Sequence, residues 1–336
     1  MTLRIGLLGD GMMAGIHAER LINMGDEVEV VALSDLSADI TEAFAAKYFT
    51  GTHHVPSHYT DAQKMYDESN LDGVIVCTPH TLHYAHAGQA LDADVHILLE
   101  KPMVTSIKDA YALRDRATQS DKTFIIGYNS PCTPVLALLK KIITDQRFGN
   151  LQMVNGYLTQ NWMRGTTGTW RQDPRLSGGG QAYDSGAHSL CSLVWSVASS
   201  PKLVSAFIET YGCEVDINSV INIRFENDVL ASVTVNGNCA SATADMVFIF
   251  DKGRVRIDPW AGQRIQAWDK DEQIDLSNEL GATTVTPTRH FVDLMQGKSA
   301  PTTSAENGVH QSELMDAIYA SAKLGRAVTL AEVLDP

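Results

Sequence analysis

Residues 5–9 form a short apolar run ending on a glycine, and residues 16–23 carry helical spacing; the link between them reads Gly9-Asp10-Gly11-Met12-Met13-Ala14. A strand that turns through two glycines into a helix has few folds open to it. The first glycine permits the tight turn and the second lets a phosphate approach the backbone. The third position needs a small residue for helix–strand packing, which Ala14 supplies. The helix N-terminus then offers free N–H groups and a partial positive charge. A second strand is expected at 28–33, closing near Asp35, where a carboxylate would accept hydrogen bonds from an adenosine ribose. Asp35 also suits a helix N-cap, because Ser34-Asp35 precedes a helical stretch. The glycine pattern alone is a common turn; its strand–turn–helix–strand setting makes it a dinucleotide motif.

The same alternation continues for about a third of the chain. Helices are expected at 38–48, 83–91 and 108–119, the last after the cap candidates Thr105 and Ser106. Strands are expected at 73–77, 95–99 and 123–127. Buried strands separated by helices form a parallel, doubly wound sheet. After residue 128 the rhythm changes. One helix at 135–144 is followed by strand-like segments at 152–159, 203–210, 220–225, 229–235, 246–250 and 254–257. Glu226-Asn227-Asp228 and Asp251-Lys252-Gly253 read as hairpin connections. Ile221, Ile223 and Phe225 alternate with Asn222, Arg224 and Glu226, so one face packs and the other is polar. Residues 289–324 return to helix. The expected fold class is an α/β Rossmann domain over 1–127, then an α+β domain with an open, mostly antiparallel sheet over 128–336. The C-terminal helices are free to pack back on the first domain.

Charge and cysteine usage exclude several function classes. A formal net charge of -14 repels a phosphate backbone and an anionic membrane surface. Cys77, Cys132, Cys191, Cys213 and Cys239 are widely spaced with no Cys-x-x-Cys pair, which fits reduced thiols. No apolar run approaches a membrane span, and the N-terminus lacks a signal-peptide core. A cytoplasmic protein without nucleic-acid or membrane partners is expected. His53, His54 and His58 lack an acid or cysteine to complete a metal site, and His80, His83 and His86 at helical spacing make a poor zinc site, so no metal is expected.

Glu100-Lys101-Pro102 follows a parallel strand, on the edge where open α/β sheets bind ligands. The proline favours an extended Lys101 and stops the strand there. Its ammonium is either solvated in a turn or held near a reacting oxygen. Further on, Gly178-Gly179-Gly180 leads into Asp184 and His188. On a helix these two share a face within roughly 5–6 Å, and a neighbouring carboxylate stabilises an imidazolium. The alternative is an N-cap aspartate and a satisfied core histidine.

Taken in order, Gly9-x-Gly11-x-x-Ala14-x-x-His17, Thr78-Pro79-His80-x-x-His83, Glu100-Lys101-Pro102, Gly127-Tyr128-Asn129 and Gly178-Gly179-Gly180 with Asp184-x-x-x-His188 resemble the signature series of the glucose–fructose oxidoreductase/inositol dehydrogenase/MocA family. The resemblance spans essentially the whole chain. It implies a Rossmann domain, a second domain for the substrate, and NAD(P)-dependent oxidation or reduction of a sugar, polyol or inositol-like compound. It implies cofactor contacts at Gly9, Gly11, Met12, Met13, Asp35, Thr78, Pro79, His83, Glu100, Lys101 and Asn129. It further implies that Lys101, Asp184 and His188 are the catalytic group. His188 would act as general base, Lys101 would stabilise the developing alkoxide, and Asp184 would orient His188. Lys101, Asn129, Trp162, Arg171, Asp184 and His188 are the expected substrate contacts, with Trp162 offering a ring to a sugar face.

Asp35 opposes a 2′-phosphate and no arginine follows it, so NAD is expected over NADP. The family often has asparagine at the place of His80 and an acid at that of Ser192, which leaves the support of that second turn open. An open sheet face is expected to be covered by a copy of the chain, giving a homodimer or homotetramer. Two other functions share these features. One is an NAD-binding sensor without enzymatic activity, and the other is a redox-neutral NAD-dependent glycosidase.

Overall fold

The computed structural model describes residues 2–52, 54–281 and 285–335. They gather into two compact units. The first takes the residues up to Val104, Asp109–Gly127 and Thr286–Ala305; the second takes Thr105–Lys108, Tyr128–Val285 and the residues from Glu306 onward.

In chain order the first unit begins β1 (Leu3–Leu8), α1 (Met12–Ile22), β2 (Val28–Ser34), α2 (Ala38–Tyr48) and β3 (Ser57–Tyr59). It continues with α3 (Ala62–Ser69), β4 (Gly73–Val76), α4 (His83–Asp92) and β5 (His96–Leu99), and ends this stretch with β6 (Phe124–Ile126). Helix α5 (Ile107–Thr118) lies before β6 and starts among residues of the second unit. The strands form one sheet in the order β3-β2-β1-β4-β5-β6, and every pair is parallel. The chain therefore works outward from β1 to β3, then crosses back to β4. That reversal opens a crevice beyond the C-terminal ends of β1 and β4, where dinucleotides bind in sheets of this order. Ile5, Leu7, Leu33, Ile75, Leu98 and Ile125 fill the sheet's core against Ala14, Ala18 and Leu21 of α1. Ala14 has no exposed surface, as the third motif position requires.

Sequence periodicity does not reveal β3 or α3. Strand β3 is three residues long and largely exposed, so it carries no alternation. Helix α3 has an Asp61 N-cap that accepts from Gln63 N at 2.8 Å. His58 lies in β3; His53 lies outside the described residues.

The rest of the chain runs α6 (Pro134–Thr144), β7 (Leu151–Thr159), α7 (Trp162–Gly165), α8 (Pro174–Ser177), α9 (Gly186–Val197), β8 (Pro201–Glu209), β9 (Asn218–Phe225) and β10 (Leu230–Asn236). Then come β11 (Thr243–Phe250), β12 (Gly253–Ile257), β13 (Ile265–Asp269), β14 (Glu272–Ile274), α10 (Pro287–Met295), α11 (Ala305–Leu324), β15 (Val328–Thr329) and α12 (Leu330–Leu334). The second unit's sheet has the order β14-β13-β12-β11-β7-β10-β9-β8-β15. Among the described residues only β7 and β10 pair in parallel in this sheet; β14 and β15, three and two residues long, are too short to show in the sequence, and β13 has no clear apolar–polar alternation. Val154, Leu158, Ile221, Ile223, Phe225, Val233 and Phe248 pack against helical residues such as Leu139, Leu190, Leu314 and Ile318. The other face carries Asn222 and Arg224 with exposed apolar side chains, among them Tyr157, Phe207 and Val220.

The expected helical return at 289–324 is two helices, interrupted around Gly297, which sits at φ +69°. The first of them, α10, belongs to the first unit. Thr286 caps it and Pro287 starts it. Phe291 and Val292 enter the same core as Ile75 and Leu98. A Cβ on Gly73 would come within 3.1 Å of Phe291 and 3.2 Å of Met295, so β4 is built to receive this helix.

Candidate functional site

The nucleotide side is built on the turn between β1 and α1. Gly9 sits at φ +93°, and a Cβ there would meet the Cys77 carbonyl carbon and the Thr78 nitrogen at 2.8 Å, so only glycine fits. Its N–H donates to Ser34 O at 2.8 Å, fastening the turn to β2. Gly11 is the N-cap of α1, without a side-chain cap, and a Cβ there would stand in open space. The first turn of α1 is thus left open to a phosphate. Met12 is exposed beside it and Met13 is half-buried.

Asp35 faces this turn. Its Oδ2 accepts from Asp10 N at 2.8 Å and its Oδ1 from Leu36 N at 2.7 Å. The capping alternative falls away, because α2 begins at Ala38 with Ser37 as its N-cap. Open glycine turn, free helix start and carboxylate together fit the pyrophosphate and ribose of NAD.

Two further turns leave the same sheet edge, after β4 and after β5. His83 ties them together. It has no exposed surface, and its Nδ1 lies 2.7 Å from Pro102 O and its Nε2 2.9 Å from Thr78 O. Burial holds its pKa below the ordinary histidine range. His83 therefore positions Thr78-Pro79 and the Lys101 turn rather than offering a surface to a ligand. His86 adds a contact from Nδ1 to Thr78 Oγ1 at 2.9 Å.

Glu100 is also buried. Its Oε1 lies 2.9 Å from His17 Nε2, and its Oε2 accepts from Lys101 N at 3.2 Å. The far ring nitrogen of His17 lies 2.9 Å from Thr288 Oγ1 on α10. Despite its burial, Glu100 is held below the usual carboxylate range by His17 and by the Lys101 side chain and backbone. Lys101 itself is half-buried at the end of this chain of contacts. His17 entered the sequence reading only as a motif position; its pairing with Glu100 was not visible there.

In the second unit the glycine run is clamped by a residue that no motif marked. Asp216 is 3% exposed; its Oδ1 accepts from Gly180 N at 2.6 Å and its Oδ2 from Ala182 N at 2.8 Å. Tyr319 donates its hydroxyl to Oδ1. A Cβ on Gly180 would fall 2.0 Å from Asp216 O, so this position must be glycine for the two loops to approach. Replacing Asp216 with alanine is expected to destabilise this unit by at least about 2 kcal/mol, since two buried N–H donors lose a charged acceptor. A urea melt of the variant beside Asp216→Asn checks this; an unchanged midpoint would contradict it.

Beyond that clamp, α9 begins only at Gly186, so Asp184 precedes the helix and does not share a helical face with His188. The Oδ2 of Asp184 accepts from Trp162 Nε1 at 2.8 Å and from Arg171 Nε at 3.0 Å. Trp162 is 2% exposed, packed with Val215 and Ile217, and has no face to lend a sugar; it orients Asp184 instead. The Arg171 guanidinium lies 4.7 Å over the Trp170 ring.

His188 is half-buried at the start of α9. The Tyr128 ring meets it edge-on at 6.1 Å, and the Trp260 indole lies at 6.4 Å, tilted by 30°. Asn129 Nδ2 donates to Trp260 O at 3.2 Å. Ser192, at the position where the family often has an acid, donates to Pro259 O at 2.6 Å and lies 2.9 Å from Ser130 Oγ. It anchors the strand end that carries Trp260 beside His188. Trp260 itself had no sequence signal.

Two family descriptions match this chain. One reads "Oxidoreductase family, NAD-binding Rossmann fold" and covers residues 3–128; the other reads "GFO/IDH/MocA C-terminal domain" and covers 136–256. A glucose-6-phosphate 3-dehydrogenase of Bacillus subtilis is 30% identical over 194 residues, 57% of this chain and 53% of the relative. The chain thus spans about half the length of that protein. A D-xylose 1-dehydrogenase of Haloarcula marismortui, named for NADP(+), is 24% identical over 338 residues, 98% of this chain and 93% of its own. Among solved structures, the WlbA dehydrogenase of Bordetella pertussis, in complex with NADH and UDP-GlcNAcA, superposes with a TM-score of 0.82. It is 22% identical, with 98% of this chain and 99% of that one covered, and shows a common fold.

Proposed function

This chain belongs to the Gfo/Idh/MocA family of NAD-binding oxidoreductases, and from that premise we propose that it is a dehydrogenase acting on a secondary hydroxyl of a sugar, polyol or inositol-like compound. Its first domain would bind NAD and its second the substrate. NAD supplies the hydride acceptor when bound. The protein's part is position, charge and proton transfer. His188 takes the hydroxyl proton, Lys101 stabilises the alkoxide that develops, and Asp184 holds the surrounding loop in place through Trp162 and Arg171. Arg171 and Asn129 are proposed to meet substrate hydroxyls, while Thr78, Pro79 and Asn129 line the cofactor side.

The observation that carries this reading is preorganisation. The Lys101 backbone is tied to the buried Glu100, which pairs with His17, and the loop before His188 to a buried carboxylate. Asp35 favours NAD, because a 2′-phosphate would meet a like charge there. Purified protein is to be mixed with NAD or NADP and a panel of sugars, inositols and sugar acids, following reduced nicotinamide by absorbance. Reduction of NAD by one polyol class is expected. Silence across the panel with NAD still bound would overturn the reading in favour of a sensor or a redox-neutral hydrolase.

The open sheet face, with Phe207, Tyr157 and Val220 exposed, is proposed to be covered by a second copy. Size-exclusion chromatography with light scattering is expected to show a dimer or tetramer; a species of monomer mass alone would refute it.

A further inference from the structure

The glycine turn carries a group that the proposed chemistry does not use. Asp10 sits between the two glycines and is 6% exposed, yet neither of its carboxyl oxygens has a hydrogen-bond partner. Its own backbone N–H is spent on Asp35, 2.8 Å away. Every neighbouring element offers it either a like charge or a neutral group. Asp35 at the end of β2 is an acid. Thr41 on α2 directs its hydroxyl to Ser37 O at 3.3 Å. Cys77, at the end of β4, has its thiol pushed up by burial and by the charges of Glu100 and Asp10, and stays neutral. Glu100 beyond it is committed to His17. Among the described residues no cation pairs with Asp10.

We propose that Asp10 must hold a proton for NAD to bind, so that NAD binding above neutral pH is accompanied by uptake of one proton at this carboxyl. A buried carboxyl with no cation and only the neutral Thr41 hydroxyl nearby resists ionisation, and the pyrophosphate that docks on the adjoining turn adds negative charge beside it. In the free protein, burial is the largest cause that raises Asp10, to about 7; Thr41 opposes it and Asp35 adds to it. Bound phosphates raise it further. The sign follows from linkage. Below pH 7 Asp10 is already protonated in the free protein and NAD binding takes up little. Above pH 7 the carboxylate must be neutralised first, so affinity falls as pH rises, by at most about tenfold per pH unit for a single proton.

The inference needs only that the chain bind NAD. The experiment is isothermal titration of NAD into the full chain at pH 6, 7 and 8, at each pH in two buffers of different ionisation enthalpy, which yields protons taken up per NAD. Uptake approaching one at pH 8 and near zero at pH 6 is expected, with the dissociation constant rising about fivefold between pH 7 and 8. Asp10→Asn, which keeps the shape and cannot ionise, should remove both the uptake and the pH dependence. Binding without uptake in the wild-type chain, or uptake unchanged in Asp10→Asn, overturns the proposal. Because the wild-type measurement stands alone, a variant that failed to fold would not protect it. Absence of NAD binding at any pH would instead count against the dehydrogenase reading.

Discussion

Replacing His17 with alanine is expected to cost the first unit about 3–5 kcal/mol, the penalty for leaving a buried carboxylate without its partner. Glu100 has 5% of its surface exposed, and its Oε1 has the His17 ring at 2.9 Å. In the variant that oxygen keeps its desolvation and loses its partner. The loss spreads to α10, since Thr288 Oγ1 also loses the ring nitrogen of His17. Denaturant melts at pH 7 measure the effect. The double variant His17→Ala with Glu100→Gln should recover part of it, because the charge has been removed along with its partner. The pH dependence has a definite direction. Glu100 is held below the ordinary carboxylate range, so its contribution is fully present above that range and is lost as pH falls through its lowered folded value. The wild-type advantage over Glu100→Gln should therefore shrink on acidification. An equal midpoint for wild type and His17→Ala at pH 7 would remove the pair from the account of this fold.

The second large effect concerns turnover. Lys101→Met and His188→Asn are each expected to lower kcat by roughly 10²–10⁴-fold on whichever polyol the panel identifies, in line with losing a general base or an electrostatic stabiliser. His188 is not among the expected cofactor contacts, so His188→Asn should leave NAD affinity unchanged, and Lys101→Met should lower it far less than it lowers kcat. This split is the informative part. A drop in kcat with NAD binding intact places the two side chains on the reacting hydroxyl. A matched loss of NAD affinity would mean instead that the variants disturbed the turn held by Glu100 and His83. The pH profile separates the two roles: if His188 is the base, the acid limb of kcat/KM should vanish in His188→Asn and persist in Lys101→Met.

The sequence made the nucleotide half legible because each requirement there is local. A positive φ at Gly9, a small Ala14 and an acid closing β2 all fall within one strand–helix–strand stretch. Parallel strands buried on both faces left apolar runs that could be read directly. The second half resisted where its supports are distant in the chain. Asp216 lies 36 residues beyond Gly180, whose N–H it accepts, and nothing around Ile217 announces this. Trp260 stands beside His188 where Ser192, itself in contact with Ser130, bonds Pro259 in the segment after β12. Trp162 has the composition of a sugar-stacking residue, yet it is buried, since its N–H is what Asp184 needs. The sequence showed residue type, but which of two roles a side chain takes depended on partners far along the chain.

Helix α10 has a consequence for how such a protein is made and inherited. The nucleotide module is not a continuous cassette: its core lacks Phe291 and Val292, and His17 lacks Thr288, until some 160 residues of another module have been translated. A ribosome-bound chain thus carries an unfinished dinucleotide fold through most of its synthesis. Recombination that exchanged the first 127 residues between relatives would separate β4 from the helix its glycine was shaped to accept. The two halves are held to a shared history by a segment nine residues long.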